Sequence, residues 1–102
     1  MIDIQRNEQT ITWQINDSLC FDSVMPIEQK ALTLYGEFNK NICTWVIDIN
    51  MIKAIDSAGL SWLLLQKSLA MKHNLTLKIT GLSTNPKASE LAKVQGVYNL
   101  LV

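Results

Sequence analysis

Apolar and polar residues alternate at the start of the chain: Ile2 and Ile4, then Ile11, Trp13 and Ile15, have polar neighbours between them. A period of two belongs to a half-buried strand. The polar stretch Arg6-Asn7-Glu8 between the two runs predicts an antiparallel hairpin. The period then lengthens. Ile27, Ala31, Leu32 and Tyr35 stand at helical spacing behind Asp22 or Ser23 as cap, with Pro26 in the first turn, where a missing N–H is harmless. Gly36 and the stretch Asn39 to Asn41 end that helix.

Trp45-Val46-Ile47-Asp48-Ile49 is apolar in both directions apart from Asp48, which predicts a central strand covered on each face. A helix follows from Asp56. Leu75, Leu77 and Ile79 alternate with Thr76, Lys78 and Thr80 up to Gly81, a further strand, and the order strand, helix, strand predicts a right-handed crossover. Asn85-Pro86 opens the last long helix, with Ala88, Leu91, Ala92 and Gln95 on one side and Gly96 as its stop. The tail VYNLLV is expected to add an edge strand or to cover the core. The whole reads ββαβαβα, an α/β domain with a mixed sheet and helices packed against it, as one unit over residues 1–102.

The helix after Asp56 is apolar twice. Leu60, Leu63, Leu64 and Met71 form the stripe a sheet would bury, while Ala58, Trp62, Leu65 and Leu69 cluster on the opposite side. Ser61, Ser68 and Lys72 lie along one flank and Gln66 along the other. Either the last helix or the tail folds over the second stripe, or the stripe is a binding face. A chain of 102 residues with 48% hydrophobic and 18% charged residues has apolar surface to spare.

Charge narrows the partners. Lys plus Arg and Asp plus Glu are both 9, so there is no basic field to hold nucleic acid. No segment approaches the roughly 18 apolar residues of a membrane span, and the N-terminus has no signal-peptide pattern. A cytoplasmic protein without direct membrane insertion is expected. Cys20 and Cys43 are far apart and His73 is the lone histidine, so buried reduced thiols are expected rather than a metal site.

IDSAGLSWLLL, residues 55–65, carries the candidate chemistry. Ser57 as a nucleophile needs a base, and along one helix His73 stands about 24 Å away. Asp48 and Asp56 could form an acid/base pair, but Asp56 is more simply an N-cap whose carboxylate accepts from first-turn amides. The four glycines, at 36, 59, 81 and 96, are scattered and form no phosphate loop. No catalytic residue, cofactor or metal is expected. Ser57 sits where spare N–H groups and the helix dipole tolerate a phosphoryl group, and where a hydroxyl could equally meet a partner's backbone.

The succession VIDINMIKAIDSAGLSWLLL, then the strand LTLKITGLS, then a Pro-initiated helix, resembles a STAS domain over nearly the whole chain. Two branches are close. In anti-sigma-factor antagonists the resemblance implies that Ser57 is phosphorylated by a partner kinase, itself the anti-sigma factor. In the small cytoplasmic STAS subunit of the Mla phospholipid ABC transporter, where a threonine usually stands at this position, it implies contact with the ATPase subunit. Through that ATPase it implies association with permease and substrate-binding subunits at the inner-membrane face, in support of outer-membrane lipid asymmetry. Asp17-Ser18-Leu19-Cys20 departs from the Gly-Glu-Leu-Asp-like turn of the antagonists. The chain runs six residues past Gly96, and SELAKVQGVYNLL is similar to the ending of the transporter subunit. A non-enzymatic docking role therefore leads, with Asp56, Ser57, Ala58, Ser61, Trp62, Leu65 and Leu69, together with the start of the helix over 86–95, at the contact. Ser57 is its expected polar centre, and Trp62 and Leu65 its outward anchors.

Overall fold

The computed structural model describes residues 2–36 and 43–102. Strands β1 (Ile2–Asn7) and β2 (Thr10–Ile15) form the expected hairpin, with Asn7 opposite Thr10. The loop is therefore Glu8 and Gln9, one residue later than predicted, and Glu8 takes the positive φ of 50° that so tight a loop demands. Strands β4 (Thr44–Asp48) and β6 (Thr76–Thr80) continue the sheet in parallel beside β2, in the order β1-β2-β4-β6.

Two strands of two residues each, β3 (Ser18–Leu19) and β5 (Ala54–Ile55), pair in parallel outside the main sheet. Each leads directly into a helix: α1 (Phe21–Tyr35) after β3, and α2 (Ser57–Lys72) after β5. This ladder, too short to leave a period in the sequence, brings the two helix starts side by side. The helices α3 (Pro86–Val94) and α4 (Tyr98–Leu101) complete the chain. The tail thus forms a helical turn rather than an edge strand. It packs on α2 and plants Leu101 at 0% exposure in the core.

The core lies on one side of the sheet. Ile11, Trp13 and Ile15 of β2, Trp45 and Ile47 of β4 and the following Ile49 are buried with Ile27, Ala31 and Leu34 of α1 and Leu60 and Leu63 of α2. The other side is polar. Thr10, Thr44 and Thr76 form one row across three strands, Thr12, Val46 and Lys78 the next, and Gln14, Asp48 and Thr80 the third. Among the described residues, the strand at 45–49 is therefore not covered on both faces as predicted. Val46 and Asp48 are half-buried, and neighbouring Thr and Lys side chains flank them instead of a second helix layer.

Helix α1 also starts earlier than predicted. Cys20 is its N-cap, and the Ser23 hydroxyl accepts from the Cys20 N–H at 2.9 Å while donating to the Ser18 carbonyl at 2.8 Å. Pro26 consequently falls inside the helix, beyond the first turn. Leu34 joins Ile27 and Ala31 in the core, and Leu32 is 62% exposed. Gly36 follows the helix as expected, whereas the predicted role of Asn39 to Asn41 lies outside the described residues. Neither thiol is fully buried: Cys20 is half-buried and Cys43 exposed, both free.

Candidate docking site

Asp56 organises the site. One carboxylate oxygen accepts from the Gly59 N–H at 3.0 Å, the N-cap bond the sequence predicts. The other accepts from the Phe21 N–H at 3.0 Å, the first amide of α1. One side chain thus serves the exposed amides of two helix starts, and both dipoles favour its negative charge. The N–H of Phe21, then that of Gly59, hold the carboxyl below its ordinary value of 3.8. Gly59 is required by contact: a Cβ there would lie 1.9 Å from the Leu19 carbonyl oxygen, so the first turn of α2 rests directly on the backbone of β3.

Ser57 and Ser61 face solvent, and Leu65, one further turn along, is 46% exposed. Ala58 and Leu69 are half-buried. Trp62 does not look outward. It is 3% exposed and belongs to the core. The reason is visible one turn on, where Gln66, also buried, accepts at Oε1 from the Tyr35 hydroxyl of α1 at 2.9 Å. Residues four apart share a helix flank, so the flank bearing Trp62 and Gln66 is packed against α1. The two apolar stripes are two edges of one broad buried arc, and neither the last helix nor the tail is needed to cover the second. Met71, assigned to the sheet-facing stripe, is 79% exposed, because the open arc runs from it through Ser57 and Ser61 to Leu65.

Three contributors were missing from the sequence reading. Phe21 and Met25, at the start of α1, are 76% and 64% exposed. Their spacing of four, out of phase with Ile27, Ala31 and Leu34, was the available signal. The third is Gln95, just past α3, whose Nε2 donates to the Ser57 hydroxyl oxygen. It is therefore the end of α3, not its start, that reaches the site. The start is occupied elsewhere: Asn85 caps α3 by accepting from the Ala88 N–H, and its Nδ2 donates to the carbonyls of Asn50 and Ile52 at 3.0 Å. A shallow cleft of about 400 Å³ between β5 and α3 is lined by Ala54, Ile55, Lys87, Glu90, Leu91 and Val94.

The arrangement holds Ser57 without activating it. Both oxygens of Asp56 are taken up by backbone amides, and His73 caps the far end of α2, stacked on Tyr35 with ring centroids 5.1 Å apart. Asp48 accepts from the N–H of Asn50 at 2.9 Å. Burial pushes the nearby Cys20 thiol up, and the carboxylates of Asp56 and Asp22 push it further, so it stays protonated at neutral pH. Among the described residues, no three His, Cys, Asp or Glu side chains are grouped to hold a metal ion. No helix among the described residues is long and apolar enough to cross a membrane.

No family model and no curated protein matches the chain. Solved structures do share its fold. The anti-sigma factor antagonist SpoIIAA in its unphosphorylated form superposes with a TM-score of 0.76 at 13% identity, over 97% of this chain and 84% of that one. SLC26A9 gives 0.75 at 13% identity, over 93% of this chain, which spans 17% of that protein. A sulfate transporter family protein from Wolinella succinogenes gives 0.68 at 14% identity, over 92% of this chain and 72% of that one. The chain has the STAS fold, a mixed four-stranded sheet with its helices against it, as the motif around Asp56 led one to expect.

Proposed function

We propose that the chain is a non-enzymatic docking subunit. Its face formed by the starts of α1 and α2 binds the ATPase of an ABC transporter that moves phospholipids, and stabilises or activates that assembly in the manner of an MlaB-like protein. In this reading it works in the cytoplasm at the inner-membrane face, linked through the ATPase to permease and substrate-binding subunits. The observation that carries the proposal is the composition of this face. Two exposed hydroxyls, Ser57 and Ser61, and the exposed apolar side chains Leu65, Phe21 and Met25 are carried by the starts of these two helices, with no base bonded to either hydroxyl among the described residues. Apolar anchors around a small polar centre are what a protein interface uses.

With Trp62 in the core, the anchoring falls to Leu65, Phe21 and Met25. The test is copurification with the ATPase of the same organism. Ser57→Glu and Leu65→Asp should each abolish it while leaving the thermal midpoint of the isolated domain unchanged, because both side chains are exposed. Retained copurification in both variants would remove the proposed interface.

The likeness to SpoIIAA over 97% of this chain supports a second reading. Here the chain is an anti-sigma-factor antagonist, and Ser57 is the residue a partner kinase phosphorylates. Its hydroxyl is exposed in the first turn of α2, where added charge is tolerated. Intact-mass measurement on protein from the native host decides for this reading if a phosphoryl group is found on Ser57 in the unbound fraction, and against it if the protein is unmodified in both the free and the bound fractions.

A further inference from the structure

Between the hairpin and α1 lies a cavity of about 300 Å³ whose two walls repeat one pattern. On β1, Ile4 and Arg6 stand two residues apart and so share one face of the strand. On α1, Lys30 and Leu34 stand four apart and share one side of the helix. Each wall thus sets a cation beside an apolar side chain, and Trp13 and Thr33 complete the lining. Arg6 and Lys30 are exposed, Ile4 is 44% exposed, and Leu34 and Trp13 belong to the core. The buried indole N–H of Trp13 has no hydrogen-bond partner among the described residues. No carboxylate among those residues lines this cavity. An adjoining cavity of about 200 Å³ differs, because there Asp17 stands with Lys30 and offsets its charge.

We infer that the larger cavity binds a small amphiphilic anion, a free medium-chain carboxylate. Its volume sets the length. At roughly 30 Å³ for each water-sized group, 300 Å³ takes about ten non-hydrogen atoms, the size of octanoate. The lining sets the chemistry. An apolar chain lies over Ile4 and against Trp13 and Leu34, while the carboxylate faces Arg6 and Lys30. Taken as a sphere, the space is about 8 Å across, less than the Debye length of about 10 Å at 0.1 M salt. An anion anywhere in it therefore feels both cations and relieves their repulsion of each other. An uncharged ligand leaves the two cations uncompensated, and a cationic one adds a third positive charge. With 9 basic and 9 acidic residues, the chain has no polybasic surface to hold an anionic bilayer, so the ligand is the free anion.

The probe is sodium octanoate, titrated into the full chain and followed by amide and indole NMR signals. Saturable shifts should centre on Ile4, Arg6, the Trp13 indole and Lys30 to Leu34 and leave Ser57 to Leu65 unmoved, with a dissociation constant of about 1 mM or tighter. Butyrate, four methylenes shorter, should bind at least about tenfold more weakly, since each fully buried methylene is worth about fourfold. Replacing both cations, Arg6→Gln with Lys30→Gln, should weaken octanoate about tenfold or more. At about 8 Å each charge is worth roughly twofold in bulk water and roughly thirtyfold at a protein surface. Lys30→Glu should weaken octanoate and strengthen octylammonium, whereas a folding defect would weaken both. Absence of saturation, octanol or octylammonium binding the parent as well as octanoate does, or indifference to the double replacement would each overturn the inference. So would cosedimentation of the full chain with anionic phospholipid vesicles that is lost in Lys30→Glu, which would assign the two cations to a bilayer surface. The cavity shares no residue with the face around Ser57 and none of these measurements uses an ATPase, so the docking role of α2 stands or falls separately.

Discussion

Replacing Trp62 by alanine separates a core role from a docking role by magnitude alone. A buried tryptophan removes about 150–250 Å² from water, worth about 4–6 kcal/mol at 25 cal/mol per Å², and measured Trp→Ala losses in cores run at about 3–5 kcal/mol. At 3% exposure, Trp62 belongs to that class. A domain of this size has about 5–15 kcal/mol in total, so the loss is from about a fifth to all of it. With a urea slope of about 1.5 kcal/mol per M, the unfolding midpoint should fall by about 2–3 M. Trp62→Phe sharpens the test. Among the described residues the indole N–H has no hydrogen-bond partner, so phenylalanine forfeits packing volume but no polar contact there. It should recover most of the loss. Leu65→Ala, on the same helix but 46% exposed, should cost less than about 1 kcal/mol. Circular dichroism in urea measures all three. A midpoint for Trp62→Ala within 0.5 M of the parent, as a surface residue gives by roughly the same conversion, would refute the packing of that flank against α1.

Other outcomes follow from the same geometry. Gly59→Ala places a methyl against the Leu19 carbonyl and should destabilise by about 2–3 kcal/mol through separation of α2 from β3, read from the same urea curves. The Asp56 carboxyl is lowered by the N–H groups of Phe21 and Gly59, so its contribution is present above the ordinary value of 3.8 and is lost as pH falls through its folded value. The stability gap between the parent and Asp56→Asn should therefore be largest near neutrality and close in acid; a gap that widens in acid would contradict the double cap. Tyr35 is pushed up to about 12 by burial, with the Glu28 carboxylate adding to it. The unfolded chain ionises first, so stability should decline as pH rises from about 10 toward 12, and Tyr35→Phe should flatten that slope.

The sequence was most legible where one residue has one use. Asp56 as cap, Asn85-Pro86 as helix start and the alternation of Ile11, Trp13 and Ile15 all stand in the structure as read. It was least legible on α2, because a helix apolar around most of its circumference does not say which side meets a neighbour. Only the Tyr35–Gln66 bond to α1 decides that, and it turns Trp62 inward and leaves Met71 in solvent. Phe21 and Met25 escaped notice for a related reason. Their role depends on the β3–β5 ladder, two residues a side, which brings the start of α1 beside that of α2. The open polar face of the sheet was likewise hidden, since an apolar Val46 reads as buried until its neighbours are known to be Thr12 and Lys78.

Hydrogen exchange of the chain alone and in complex with the proposed ATPase partner tests the docking claim most directly. Slowed exchange confined to Ser57–Leu65 and to the first turns of α1 around Phe21 and Met25, with β1 unchanged, is the predicted result. Protection that falls on the polar sheet face or on β1, with the start of α2 exchanging as it does in the free chain, would contradict it.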